Sequence, residues 1–169
     1  FLPYAHVLGR IEHWGSCWNG HCIAYAESIE RIKPNLKEVK PDFIIAVPRI
    51  FEKIYSGIMA QIETIKYKQS IFALALESAA EVQKYRKTKE VIPWTLLLKH
   101  EALSRIAFAP IHQAFGGKLK FAISGGAPIS SELVEFFLCC GLPVLEGYGL
   151  TETCAAITVN SLSNHQIGT

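Results

Sequence analysis

Between Pro41 and Pro48 the chain reads Phe-Ile-Ile-Ala-Val (43–47), apolar at every position, and this run limits the architecture more than any other. A strand with one wet face alternates apolar and polar residues. A run without alternation is buried on both faces, as in a parallel sheet covered by helices. Pro48 then suits the first turn of a helix, where its missing N–H costs little. Behind it Ile50, Ile54, Ile58, Ile62 and Ile65 recur at helical spacing, with Glu52, Lys53 and Gln61 on other faces. That spacing predicts a helix continuing in segments to about Lys89.

The rest of the chain supplies the other layers. Residues 1–20 read as a loop followed by a short helix, and His21–Ala26 as a buried strand. Glu27–Lys40 is polar and interrupted by Pro34, which predicts a short helix, a turn and a second short helix. Pro93 opens another helix, Trp94 to about Phe115, broken or kinked at Pro110 and ended by Gly116-Gly117. Lys118–Ser124 is a strand with Phe121 and Ile123 inside, and Ser130 is a good N-cap for a helix Ser131–Cys140. Pro143–Glu146 reads as a short strand, Gly147–Gly149 as a tight turn and Ile157–Val159 as one more strand. Strand and helix in this order predict an α/β fold with a mainly parallel sheet flanked by helices.

With 169 residues, the chain is the size of one domain. Half its residues are apolar and 19% are charged, which excludes long disorder and coiled coil. Seventeen basic and fifteen acidic residues leave a net charge of +2, so no nucleic-acid partner is expected. No apolar run approaches the roughly 18–20 residues of a membrane span. The chain opens on Phe1 without a Met or a signal-peptide pattern and closes on an uncharged tail, as expected of a piece of a longer protein. Five cysteines, two of them adjacent at 139 and 140, do not suggest a disulfide framework. Cys17, His21 and Cys22, with His13 upstream, match no strong zinc spacing. Ordinary thiols in a reducing cytoplasm are the expectation.

Two Gly-rich segments follow adjacent predicted strands: Ser124-Gly125-Gly126-Ala127-Pro128 and Glu146-Gly147-Tyr148-Gly149-Leu150-Thr151-Glu152-Thr153. The carboxyl edge of an open α/β sheet is where ligands bind. Glycines let the backbone approach a ligand closely. Tyr148 offers an aromatic face to a planar base. Thr151 adds a hydroxyl and an N–H for a phosphate oxygen, and Glu152 a carboxylate that can take Mg²⁺. Each part has an ordinary use too. Gly-x-Gly is commonly only a turn, and a Thr-x-Thr pair around Glu can cap a helix.

These residues also carry a resemblance. Tyr-Gly-Leu-Thr-Glu-Thr at 148–153 resembles a core signature of the acyl-adenylate-forming enzymes, and Ser124–Pro128 their adenine-contacting turn. Leu2-Pro3-Tyr4-Ala5-His6-Val7 is similar to their upstream Leu-Pro-x-x-His motif. The agreement extends to the long-chain fatty acyl-CoA synthetases through Ala-Tyr-Ala-Glu-Ser (24–28), Val-Pro-Arg-x-x-Glu-Lys-Ile-Tyr (47–55) and Pro-Val-Leu-Glu-Gly-Tyr-Gly (143–149). The motifs occur in this order over nearly the whole chain.

The resemblance implies a ligase that joins a fatty acid to ATP as an acyl-adenylate and then transfers it to coenzyme A. It implies Mg²⁺ at Glu152, phosphate contact at Thr151, and a nucleotide pocket of Gly125, Gly126, Ala127 and Pro128 facing Glu146, Gly147, Tyr148, Gly149 and Leu150. His6 would border the carboxylate, or serve its own turn structurally. Arg49 could neutralise a phosphate or form a salt bridge, and is left out of the site. The family's phosphate loop would lie before Phe1, and its ribose-binding Asp and its Lys-bearing carboxy-terminal domain beyond Thr169. Residues 1–169 are therefore expected to be one partial domain, a slice of the large amino-terminal domain, inactive alone. The Lys/Arg clusters at 66–68 and 84–89 fit either a solvated helix face or a peripheral contact with an anionic membrane. The competing readings are a ligase for aryl or shorter acids and a non-catalytic nucleotide-binding α/β module.

Overall fold

A computed structural model describes residues 2–64 and 66–168, with the side chain of Lys66 also outside the description. Ile65, the last of the isoleucines read as helical, lies outside the described residues. The elements in chain order are α1 (Val7–Asn19), α2 (Ile32–Val39), β1 (Phe43–Ala46), α3 (Pro48–Glu63), α4 (Lys66–Thr88), α5 (Trp94–Ala107), α6 (Ala109–Ala114), β2 (Phe121–Ser124), α7 (Ser131–Cys139), β3 (Val144–Leu150) and β4 (Ala155–Val159). The strands form one sheet in the order β1-β2-β3-β4. β1 and β2 are parallel, as are β2 and β3, whereas β4 returns antiparallel to β3. The expected α/β class and the mainly parallel sheet are both present.

The unalternating apolar run forms the expected strand, but it is fully covered on one face only: β1 ends the sheet, and Ala46 alone of its residues is fully buried. Ala46 pairs with Ser124, which pairs with Glu146, so these three share a sheet face with Ile44, Ala122 and Val144 one step earlier. Helices cover that face. Ile50, Phe51, Ile54, Ile58 and Ile62 of α3 are buried in the core that Ala46, Ala122 and Val144 share. The Phe137 ring of α7 meets Phe51 and Phe115 edge-on at centroid distances of 5.9 and 5.8 Å. Each such side chain contributes about 1.5–3 kcal/mol by leaving water. The opposite face is more open: Phe43 and Phe121 stack at 5.4 Å and remain half-buried.

Several local expectations need correction. His21–Ala26 is not a strand. β1 is the end of the sheet and forms no ladder with this segment among the described residues, although both line a cavity of about 380 Å³ and the His21 ring meets Phe43 edge-on at 5.4 Å. Glu27–Lys40 holds one helix, not two. Pro34 is the third residue of α2, in the first turn, where N–H groups have no intrahelical partner anyway. The helix in residues 1–20 is longer than expected, 13 residues from Val7. Gly147–Gly149 is not a turn but part of β3, because β4 supplies a ladder along it. The expected break at Pro110 is found, between α5 and α6. Ser130 caps α7, its hydroxyl accepting from Leu133 N–H at 3.3 Å.

Candidate functional site

β1 and β2 end at Ala46 and Ser124, while β3, level with them at Glu146, runs on to Leu150. The second Gly-rich segment therefore projects past the carboxyl edge of the parallel strands, beside the turn that leaves β2. That turn is tied down at once: Gly125 N–H donates to Ala46 O at 3.1 Å. Gly126 follows with φ +81, a conformation that side chains resist. A Cβ on Gly125 would lie 3.6 Å from Gly147 O and 3.6 Å from Leu8 Cδ2. The first turn of α1, the β2 turn and β3 thus meet at one point. Gly126, Ala127 and Pro128 are exposed there.

His6 starts that helical turn. Its Nδ1 accepts from Leu8 N–H at 3.2 Å, and its own N–H donates to Pro3 O at 2.9 Å. The structural role for His6 is therefore present, and it places the exposed ring at the edge of the meeting point. The neighbouring motif supports it. The Tyr25 hydroxyl lies 2.7 Å from the Tyr4 hydroxyl and 2.7 Å from His13 Nδ1, which joins the Ala24–Ser28 run to the Leu2–Val7 motif. Glu27 binds Asn35 Nδ2 at 2.9 Å and Arg31 Nε at 3.1 Å, anchoring α2. In the 47–55 run, Ile54 is core and Tyr55 packs its ring 4.7 Å from Phe136. Arg49 is exposed and forms no salt bridge among the described residues. These two runs hold the scaffold.

The centre of the site is the connection from β3 to β4. Gly149 sits at a register shift in the ladder, where its missing Cβ leaves room for the Ala155 carbonyl. Thr151–Cys154 then turn the chain: Thr153 N–H donates to Leu150 O and Cys154 N–H to Thr151 O, both at 3.2 Å. Cys154 and Ala155 have φ of +58 and +88, unusual for residues with a side chain. At the apex, Thr151 N–H, the Thr151 hydroxyl, Glu152 N–H and the Glu152 carboxylate make no hydrogen bond among the described residues. All are exposed. Among the described residues the chain after Glu152 turns into β4 and not into a helix, so the helix-cap alternative is overturned.

Tyr148 is 58% exposed on β3, with its ring open to a planar partner. Glu146 is differently employed. Its carboxylate accepts from Gly168 N–H at 2.9 Å and its carbonyl from Asn160 N–H at 2.9 Å, holding the segment after β4 against the sheet. Ser124 Oγ is buried with no partner among the described residues. The sequence reading named Thr153 only as part of a motif. Its hydroxyl in fact has three backbone neighbours, Leu150 N–H, Leu150 O and Ala155 O, which the motif itself does not reveal.

A single carboxylate fits Mg²⁺, which is usually held by one or two carboxylates together with substrate phosphates and water. Among the described residues no group of three His, Cys, Asp or Glu could hold a metal without such help. The five cysteines are free, with Cys17, Cys22 and Cys154 exposed. No described helix is long and apolar enough to cross a membrane.

Comparison with known proteins identifies the family. The profile of the family described as AMP-binding enzyme matches residues 1–169. The chain is 33% identical over 170 residues to the long-chain-fatty-acid–CoA ligase FadD15 of Mycobacterium bovis, covering 100% of this chain and 28% of that protein. It is 32% identical to long-chain-fatty-acid–CoA ligase 1 of Saccharomyces cerevisiae, over 99% of this chain and 24% of the relative. With long chain acyl-CoA synthetase 1 of Arabidopsis thaliana the identity is 31%, over 90% and 23%. The chain thus spans about a quarter of the length of these curated relatives. No solved structure matches it significantly.

Proposed function

The chain belongs to the family of AMP-binding enzymes, and from that premise we propose that it forms the nucleotide-facing part of a ligase that activates long-chain fatty acids. An oxygen of the fatty carboxylate attacks the α-phosphorus of ATP, the bond to the bridging oxygen breaks, and pyrophosphate leaves. The thiol of coenzyme A then attacks the acyl carbon, loses its proton and expels AMP, leaving a thioester. The observation that carries this reading is the apex of the β3–β4 turn. Three uncommitted donors on Thr151 and Glu152 and one uncommitted carboxylate stand beside the exposed ring of Tyr148 at the sheet edge.

The proposed division of labour is the one the motif resemblance implies, and the open groups at the sheet edge support it. The turn Gly125–Pro128 and the ring of Tyr148 flank the adenine, with Glu146 to Leu150 forming one wall of its pocket. Thr151 holds a phosphate oxygen through its N–H and hydroxyl, and being fixed beforehand these donors need no reorganisation as charge develops. Glu152 holds Mg²⁺, which when bound supplies neutralisation of the negative charge shared by carboxylate and polyphosphate. His6, fixed as the cap of α1, borders the fatty carboxylate. The compartment is cytoplasmic, in keeping with five free thiols. Exposed Lys84, Arg86, Lys87 and Lys89 near the end of α4 suit peripheral contact with an anionic membrane.

The test is direct detection of the intermediate. The full polypeptide that carries this sequence, given ATP, Mg²⁺ and palmitate without coenzyme A, should yield palmitoyl-adenylate by mass spectrometry. Binding of ATP with no adenylate formed would favour a non-catalytic nucleotide-binding module.

A further inference from the structure

We infer that Thr153 is a positioning residue for the activation step: its hydroxyl ties together the two ends of the β3–β4 turn and so fixes Thr151 and Glu152 at the apex. The inference rests on the function proposed above. Thr153 Oγ1 accepts from Leu150 N–H at 3.0 Å. Its single proton has two carbonyls to choose from, Leu150 O at 3.0 Å and Ala155 O at 3.1 Å. Leu150 closes β3 and Ala155 opens β4, so one side chain binds both ends of the four-residue connection between them.

The connection needs such a tie. Cys154 and Ala155 occupy positive φ, where hairpins ordinarily place Gly or Asn. Backbone of this kind persists only where its surroundings over-determine it. The Ala155 carbonyl presses into the space left by Gly149, and Ala155 itself is buried to 4% exposure, which secures the β4 side. The apex has no comparable packing, since residues 151–154 are all exposed. Apart from the two backbone bonds, the hydroxyl of Thr153 is what holds the apex in place among the described residues. Donors that bind a transferring phosphoryl group lose much of their effect when displaced by about 1 Å.

Thr153→Val keeps the shape of the side chain and removes the hydroxyl, and Thr153→Ser restores it. Both go into the full polypeptide, together with Glu152→Gln and the double variant. Amide hydrogen exchange at Leu150 should accelerate in Thr153→Val and stay slow in Thr153→Ser, with the melting temperature lowered by no more than about 2–4 °C. Palmitate-dependent ATP–pyrophosphate exchange should lose about tenfold or more in kcat in Thr153→Val and recover to within about threefold in Thr153→Ser. Because Thr153 acts partly through Glu152 and partly through Thr151, the double variant should lose clearly less than the two single losses combined. Wild-type exchange in Thr153→Val, an additive double variant, or a serine variant as impaired as valine would overturn the inference. A wild-type polypeptide that forms no adenylate would instead overturn the proposed function, and the inference with it.

Discussion

Three glycines that look interchangeable in sequence should respond to alanine in three different ways. At Gly149 an added Cβ would meet the Ala155 carbonyl and lie 2.7 Å from Ala156 Cα, both backbone atoms of the partner strand. Neither can rotate aside, so β4 must move. Overpacking of this kind costs about 1–3 kcal/mol. In a domain of this size each kcal/mol lowers the melting temperature by about 2–4 °C, so Gly149→Ala should lose about 2–12 °C. At Gly147, in the same strand, the nearest atoms lie at 3.6 Å, an ordinary contact. Gly147→Ala should range from neutral to a gain of about 0.5–1 kcal/mol from reduced chain entropy. At Gly15, inside α1, a Cβ meets nothing within 4 Å, and alanine should stabilise by about 0.5–1 kcal/mol. Thermal unfolding followed by circular dichroism measures all three. If Gly149→Ala proved as benign as Gly147→Ala, the close crossing of β3 and β4, and with it the presentation of Thr151 and Glu152, would be wrong.

Two further outcomes follow from the same structure. Ser130→Ala removes the hydroxyl that accepts from Leu133 N–H, and urea unfolding should show a loss of about 1 kcal/mol; no loss would mean the cap is not formed. In the native chain, burial raises the thiol pKa of Cys140 strongly and, with Glu135 as a lesser cause, that of Cys139. A raised pKa means less thiolate at a given pH, so both should label slowly near pH 8 while the exposed Cys17, Cys22 and Cys154 label readily. Denatured, unreduced protein should then titrate five thiols.

What the sequence disclosed and what it concealed divide along physical lines. The isoleucines of α3 were legible because burial on a helical period marks every turn, and Phe43–Val47 was legible as a strand from its apolar composition, although only Ala46 is fully buried. Ser130 and Pro110 were legible because their effects are local. His21–Ala26 was misread because an apolar run becomes a strand only if another strand pairs with it, and β1 pairs with β2 alone among the described residues. Gly147 and Gly149 were misread because glycine serves equally for a turn and for a close crossing of strands, and only the position of Ala155 distinguishes them. Within the candidate site, Thr151 and Glu152 were visible as chemistry. The tie made by Thr153, and the engagement of Glu146 with Gly168, depend on backbone atoms that no spacing rule reports.

The central claim concerns Glu152, and separating the two half-reactions tests it. Glu152→Gln keeps the size of the side chain and its place at the apex while removing the charge. In the full polypeptide, palmitate-dependent ATP–pyrophosphate exchange should fall by about 10²-fold or more, since lost transition-state electrostatics typically cost roughly 3 kcal/mol. Thioester formation from supplied palmitoyl-adenylate and coenzyme A should change far less, because no polyphosphate remains to be neutralised. Equal and small losses in both half-reactions would contradict the assignment of Glu152 as the residue that holds the metal.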